Sequence, residues 1–168
     1  DSLGNAQPIT SAIEVTRHPS GGLMVLFGTG RYLQSVDVAS VSVQSLYGVR
    51  DTGAAVAGRA DLQQQTVIDV ADVGGSTYRA VSNNAVDFST QEGWYMDLPE
   101  AGERVVVDPI LRNGRFIVAT TIPNADPCAA GGSSWLMEVN YLWGARSDKA
   151  VFNVDGNDSI DGGDIVVF

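Results

Sequence analysis

Oxygen-bearing side chains recur at alternate positions in the stretch 153–164. Read as a twelve-residue loop, positions 1, 3, 5, 9 and 12 carry amide or carboxylate oxygens, and position 7 offers a backbone carbonyl. Calcium takes such hard oxygen donors from a chain that coils round the ion. The sequence therefore predicts a Ca2+ site, with apolar Ile160 at position 8 holding the loop to the body of the protein. Its predicted ligands are Asn153, Asp155, Asn157, Ser159, Asp161 and Asp164.

Two positions of this loop depart from the usual calcium pattern. Asp158 stands at position 6, where glycine normally makes the sharp turn, and Asp164 at position 12 replaces the longer bidentate glutamate. Aspartate enters the left-handed region more readily than most residues, so the first departure weakens the site without excluding it. We expect a structural site, or one with a dissociation constant on the order of micromolar or weaker. The alternative is a surface loop that binds no metal.

Residues suited to nucleophilic or acid–base catalysis are few. His18 is the only histidine and lies in a turn, so any Ser-His-Asp arrangement would have to use it. Cys128 is the only cysteine, so it is expected to be buried or paired with a cysteine outside this chain. We predict no enzyme activity and no catalytic residue.

Three other groups of residues have a functional and a structural interpretation. Residues 27–30 lack the third glycine of a dinucleotide loop, so we interpret them as a turn that ends a strand. The aromatic residues at 94, 95, 135 and 143 could line a ligand platform, but aromatics in strand patterns usually belong to a core. Two of four carboxylates could form the acid–base pair of a glycosidase, but any acidic protein offers such a pair. The four are Glu92, Asp97, Glu100 and Glu103.

The overall charge limits the classes of partner. The chain has 168 residues, with 10 Lys and Arg against 20 Asp and Glu, and a net charge of -10. It would repel nucleic acid and anionic membranes.

No apolar run is long enough for a membrane span, and residue 1 does not open a charged-then-apolar leader. The length suits one domain or part of a larger one, and an exported protein of this composition needs no disulfide.

The elements that position these residues are predicted to be strands. Short apolar or alternating runs recur about every ten residues, separated by Gly, Pro and Asn breakers. They span 8–16, 23–28, 43–50, 62–70, 78–82, 94–98, 104–111, 115–122 and 134–139. The turn at 18–22 predicts a hairpin between the first two runs, and Asn113-Gly114 is the strongest hairpin signal in the chain.

Helix is predicted only as a short turn within 35–44, because the valines there are β-branched and mostly two apart. The fold class is therefore all-β, a sandwich, barrel or propeller. A weak repeat favours propeller blades, since three successive strand patterns near residues 11–49 match three near 107–139 in order.

Several short segments of the sequence resemble the C-terminal domain of the PilY/PilC family. The members of this family are type IV pilus tip-associated adhesins and assembly factors. The longest segments are Phe-Gly-Thr-Gly-Arg-Tyr-Leu at 27–33, Gly-Trp-Tyr-Met-Asp-Leu-Pro at 93–99 and Ser-Trp-Leu-Met-Glu at 134–138. Shorter ones stand at 8–10, 17–19, 21–25, 44–48, 102–106 and 126–128, so the match runs from about residue 8 to the end.

The resemblance implies a modified quinoprotein-like β-propeller of antiparallel blades with a calcium-binding surface loop. A propeller of that type needs several hundred residues, so this chain is expected to supply only some blades. On this reading residues 1–150 are blades, and residues 151–168 are the loop and a final strand of the same domain. The family loop usually begins with Asp and has Gly at position 6, and Asn153 and Asp158 differ. An Arg-Gly-Asp tripeptide carried by some members is absent.

The function implied is calcium-dependent control of pilus extension and retraction, with cell adhesion and twitching motility. The implied partners are pilus subunits or minor pilins and host surface receptors. The implied location is the pilus tip, outer membrane or cell surface of a Gram-negative bacterium. Two alternatives stay open: a quinoprotein-like dehydrogenase fragment, and an extracellular structural module that uses calcium only for folding. The dehydrogenases commonly carry an adjacent-cysteine pair, and this chain has one cysteine.

Overall fold

The fold is built almost entirely of short strands, as the sequence predicts. A computed structural model describes residues 1, 4–124, 131–157 and 159–164. Three 3-10 turns, Ser35–Asp37, Arg59–Asp61 and Gly162–Asp164, are the helical segments of this part. The strands are β1 Glu14–Arg17, β2 Leu23–Gly28, β3 Ser45–Asp51, β4 Gln63–Gln65, β5 Val67–Val73, β6 Ser76–Val81, β7 Gly93–Asp97, β8 Ile110–Arg112, β9 Arg115–Ala119, β10 Ile122–Pro123, β11 Gly132–Ser133 and β12 Leu136–Asn140.

The largest sheet has five strands in the order β1-β2-β3-β7-β4. Its first three strands run antiparallel in succession, and the predicted hairpin between β1 and β2 is confirmed. The turn closes where the His18 amide donates to the Gly22 carbonyl at 3.1 Å. β7 adds antiparallel to β3, and β4 lies parallel to β7 at the edge.

A second sheet has three strands in the order β8-β9-β12. Asn113 and Gly114 connect β8 to β9 with φ values of 51° and 75°, so the turn takes the positive φ angles that the Asn-Gly pair predicts. Both sheets thus contain three strands that pair in chain order, as the sequence repeat predicts. Two smaller pairs, β5–β6 and β10–β11, complete the strand pairing.

The core lies between the five-stranded and three-stranded sheets. Trp94 of β7 is fully buried, contacts Phe116 of β9 edge-on at 6.3 Å, and donates from Nε1 to the Tyr141 carbonyl at 3.0 Å. A Cβ on Gly48 would lie 2.3 Å from the Trp94 indole nitrogen, so only glycine leaves room for this ring. The other buried core residues include Met24, Leu26, Leu46, Met96, Val105, Val118, Met137 and Val139.

Four predicted strands differ from the structure. The run 62–70 divides into β4 and β5, and the run 115–122 into β9 and β10, with the two parts of each run in different sheets. The first run becomes a strand only at Glu14. The run 104–111 is not a continuous strand, because Arg104 forms an isolated bridge with Thr121 and the Val105 amide donates to the Thr29 carbonyl at 2.9 Å. Pro109, which has no amide hydrogen, precedes the short strand β8.

Closure into a full propeller is not seen, since the sheets of the described residues do not join into a ring. The predicted short turn within 35–44 is confirmed as Ser35–Asp37. The predicted final strand lies outside the described residues. Among those residues no helix has the length and apolar character needed to cross a membrane.

Candidate metal site

The loop 153–164 coils because its alternate side chains accept hydrogen bonds from their own backbone. Asn153 Oδ1 accepts from the Gly156 amide at 2.9 Å, and Asp155 Oδ1 accepts from the Asn157 amide at 3.0 Å. Asn157 Oδ1 in turn accepts from the Ser159 amide at 2.7 Å. Short Asn and Asp side chains favour such turns. The spacing that predicts a calcium loop therefore produces a series of tight turns.

Asp164 joins the two ends of this loop. Its side chain is buried, and Oδ1 accepts from the amides of Val154 at 2.6 Å and Asp155 at 3.2 Å. Oδ2 accepts from the Asp161 amide at 2.9 Å. These hydrogen bonds, that from Asp161 above all, lower the pKa of the Asp164 carboxyl below its usual value. The carboxylate at position 12 is thus charged and shapes the loop from within.

The donor chemistry of the loop fits calcium, since each predicted ligand offers an oxygen atom. A side-chain amide hydrogen of Asn153 also donates to the Asn157 carbonyl, which brings positions 1 and 5 together. In the described part of the chain, however, no three His, Cys, Asp or Glu side chains are gathered into a group that could hold a metal ion. Asp158, at position 6, lies outside that part.

The anchor of the loop differs from the sequence prediction. Ile160, expected to hold the loop to the protein, is 58% exposed. Val154 is buried instead, and its carbonyl lies 3.0 Å from where a Cβ on Gly74 would stand. The Phe152 ring lies 6.3 Å from the Tyr78 ring. The loop therefore rests on the β5–β6 hairpin, which local sequence spacing could not show.

A buried ion pair connects that hairpin to the core. Arg79 of β6 bonds Glu103 at 2.7 Å, with side-chain exposures of 2% and 0%. Glu103 also accepts from Thr120 Oγ1 at 2.7 Å, and the Arg79 guanidinium lies 3.9 Å from the centre of the Trp135 ring. Glu100 bonds the same arginine at 2.7 Å. Two of the four candidate glycosidase carboxylates therefore neutralise an arginine.

Asp97, a third member of that set, belongs to a different cluster. It pairs with Arg59 at 2.9 Å, and Arg59 also donates to Tyr47 Oη at 2.7 Å and stacks 4.4 Å from the Tyr95 ring centre. This cluster fastens the 3-10 turn Arg59–Asp61 to the outer face of the five-stranded sheet. A lone arginine in a Gly/Ala-rich segment carries no sequence signal for such a role.

The remaining candidates for chemistry take structural positions. His18 is buried, its Nδ1 accepts from the Ser20 amide at 3.1 Å, and its ring contacts Phe88 edge-on at 4.3 Å. Gly28 ends β2, as the sequence predicts, but no turn follows, because the amide of the next residue, Thr29, donates to the Ser45 carbonyl at 2.9 Å and so continues the pairing with β3. Cys128 lies outside the described residues.

The chain is similar to proteins of one family over most of its length. A type IV pilus biogenesis factor PilY1 homolog of Xylella fastidiosa is 39% identical over 88% of this chain, and PilY1 of Pseudomonas aeruginosa is 35% identical over 92%. The chain spans only 10% and 15% of the lengths of these two relatives. Residues 1–77 match the family model described as the PilY1 beta-propeller domain.

The three-dimensional comparison agrees with the sequence comparison. The crystal structure of the Pseudomonas aeruginosa PilY1 C-terminal domain superposes with a TM-score of 0.83 and 31% identity. The alignment covers 96% of this chain and 36% of that one. Sequence identity and tertiary structure therefore agree that the chain belongs to the PilY1 family.

Proposed function

We propose that this chain is a non-catalytic part of an exported type IV pilus biogenesis factor, in which the loop 153–164 binds Ca2+. The named role of the relatives supports the pilus assignment. The observation that carries the calcium assignment is the buried carboxylate of Asp164, which shapes a loop of alternating oxygen donors. The donors would be Asn153, Asp155, Asn157, Ser159, Asp161 and Asp164.

Calcium acts on this loop as a brace or a local switch. Without the ion, Asp155 and Asp161 repel each other in an acidic chain; with it, their charges are neutralised and the loop closes. Because Phe152 packs on Tyr78, closing of the loop also affects the β5–β6 hairpin. Calcium occupancy would thereby modulate pilus extension, retraction and surface attachment at the pilus tip, outer membrane or cell surface, through pilus subunits, minor pilins or host receptors.

Calcium should raise the melting temperature of the chain, and Asp155→Ala should remove the effect. At a free calcium concentration of 100 times the dissociation constant, binding to the folded state adds about 2.7 kcal/mol. For a chain of this size that corresponds to a shift of roughly 5–10 °C. The measurement is thermal unfolding in calcium and in chelator, at matched ionic strength.

The matched control is Asp148→Ala, which removes an exposed carboxylate outside the loop. This variant should keep the full calcium shift. Identical melting of the parent chain in calcium and in chelator would refute the metal site. A calcium shift without any calcium-dependent capture of pilin subunits would instead favour a structural module that uses the ion only for folding.

A further inference from the structure

A polar cleft of about 300 Å³ lies between the segment 6–8 and the loop that follows β2. It is remote in sequence from the candidate calcium loop. Its charged and amide-bearing lining residues are Gln7, Arg31, Asp37, Gln44 and Arg104. The hydroxyls of Ser40 and Ser42, 3.4 Å apart, also line it.

Asp37 is the one acidic residue that lines this cleft, and its oxygens are already engaged. Oδ1 accepts from Arg31 Nε at 2.9 Å and pairs with Nη2 at 2.9 Å. Oδ2 accepts from the amides of Leu33 and Gln34, each at 2.9 Å. The Arg31 side chain is 50% exposed, so its remaining Nη1 edge can bind a second carboxylate.

Arg104 adds a buried positive charge that no carboxylate contacts directly in the described structure. Its guanidinium donates to four carbonyls, those of Gly102 at 2.8 Å, Arg31 at 3.0 Å, Asp37 at 2.5 Å and Ser40 at 2.7 Å. Burial lowers the pKa of this guanidinium. Two guanidiniums and one carboxylate therefore line the cleft, which is locally positive in a chain of net charge -10.

Gln44 supplies a second, independent indication of a ligand. The residue is 7% exposed, and its Oε1 is buried without a hydrogen-bond partner in the described structure. Buried amide oxygens are normally satisfied, and leaving one unpaired costs free energy. A ligand that donates a hydrogen bond at this point would remove that cost.

We propose that this cleft binds a hydroxy acid, a small molecule or sugar residue with a carboxylate and a neighbouring hydroxyl group. The carboxylate pairs with the Nη1 edge of Arg31, next to the positive charge of Arg104. When the Gln44 amide turns its oxygen toward the cleft, the ligand hydroxyl donates to Oε1 and accepts from Ser40 or Ser42. The acidic surface elsewhere repels the ligand, so binding is confined to this cleft.

The probe is D-glucuronate, titrated into the 15N-labelled 168-residue chain at constant ionic strength. Amide shifts confined to segments 6–8 and 31–44 and to the neighbourhood of Arg104 should saturate at millimolar concentration, while D-glucose, which lacks the carboxylate, should produce none. Acetate, which lacks the hydroxyls, should bind several-fold more weakly. The dissociation constant should be the same in calcium and in chelator, which separates this site from the proposed calcium loop.

Two variants test the named contacts. Arg31→Gln should raise the dissociation constant for glucuronate about tenfold, whereas Arg112→Gln, which removes an exposed arginine elsewhere, should leave it unchanged. Gln44→Met keeps the volume and removes the acceptor, so glucuronate should then bind no better than acetate. Shifts no larger than those from sodium chloride, or equal affinity for glucuronate and acetate in the parent chain, would overturn the proposal.

Discussion

Glu103 is a fully buried carboxylate that joins three parts of the molecule. It accepts hydrogen bonds from Arg79 of the β5–β6 hairpin, from Thr120 after β9 and, at 3.3 Å, from the Glu100 amide. Removal of one member of a buried ion pair leaves an uncompensated charge, which costs more than the pair contributes. Its side chain therefore controls how the hairpin is held.

Glu103→Gln should destabilise the folded state by up to about 3–5 kcal/mol, because Arg79 keeps its buried charge and retains only the half-exposed Glu100 as an acidic partner. Urea unfolding followed by tryptophan fluorescence measures the loss. Asp148→Asn, the same chemical change at an exposed position, should cost less than about 0.5 kcal/mol. Equal effects of the two substitutions would show that the ion pair contributes little.

His18 makes stability depend on pH near neutrality. Burial, with the nearby Arg50 charge second, lowers its pKa below the ordinary 6.5. Below pH 6.5, His18 therefore binds more protons in the unfolded chain than in the folded chain. The free energy of unfolding consequently falls as the pH drops through that region. Protonation of Nδ1 would also oppose the hydrogen bond from the Ser20 amide.

Unfolding free energies measured from pH 7.5 to 5.5 should decrease by at most about 1.4 kcal/mol per pH unit, the limit for one proton. His18→Asn keeps an acceptor near the Nδ1 position and removes the titration. Because His18 is the only histidine, this variant should have a much flatter profile over the same range, with a residual slope from the amino terminus, whose pKa burial lowers below 8.0. A variant as pH-sensitive as the parent would exclude His18 as the cause.

At the scale of elements, the two ends of the loop 153–164 are joined by one carboxylate, that of Asp164. Asp164→Ala should increase hydrogen exchange at the amides of Val154, Asp155 and Asp161 at least tenfold, even in chelator. Asp164→Asn retains one acceptor oxygen and should loosen the loop only in part. Unchanged exchange in the alanine variant, measured by NMR, would show that other contacts order the loop.

The strands show where local sequence is sufficient. The hairpins β1–β2 and β8–β9 follow from turn residues beside apolar runs, and both are confirmed. The run 104–111 has the same apolar pattern but forms a strand only at its end. Tertiary contacts cause this difference, because Arg104 donates hydrogen bonds to carbonyls of the segment 31–40 and Val105 packs into the core.

At the scale of the molecule, the net charge of -10 should make stability depend on salt. Like charges repel in the compact state more than in the unfolded chain, and salt screens this repulsion. Raising sodium chloride from about 10 to 200 mM should therefore raise the melting temperature by a few degrees. A decrease would indicate that exposed ion pairs outweigh the repulsion. The calcium experiment requires matched ionic strength for this reason.

Several contacts that hold the sheets and loops together could not be predicted from the sequence. Arg59, Arg79 and Arg104 each fasten a loop or hairpin to a sheet or to another loop, across sequence separations of 12 to 73 residues. Nothing in the neighbourhood of an arginine specifies a partner so far along the chain. The same holds for the loop anchor, where Val154 is buried and Ile160 is exposed.

The sequence by itself determined the strand-rich class, the two tight hairpins, the three successive strands shared by both sheets and the membership of the PilY1 family. These depend on short-range patterns of apolar, turn-forming and breaker residues, which act within a few positions. Only the tertiary structure decided which surface supports the candidate calcium loop and which carboxylates neutralise buried arginines. It also decided that Arg31, Asp37, Gln44 and Arg104 line one cleft. Such features require distant segments to meet, and burial then sets the strength of each contact.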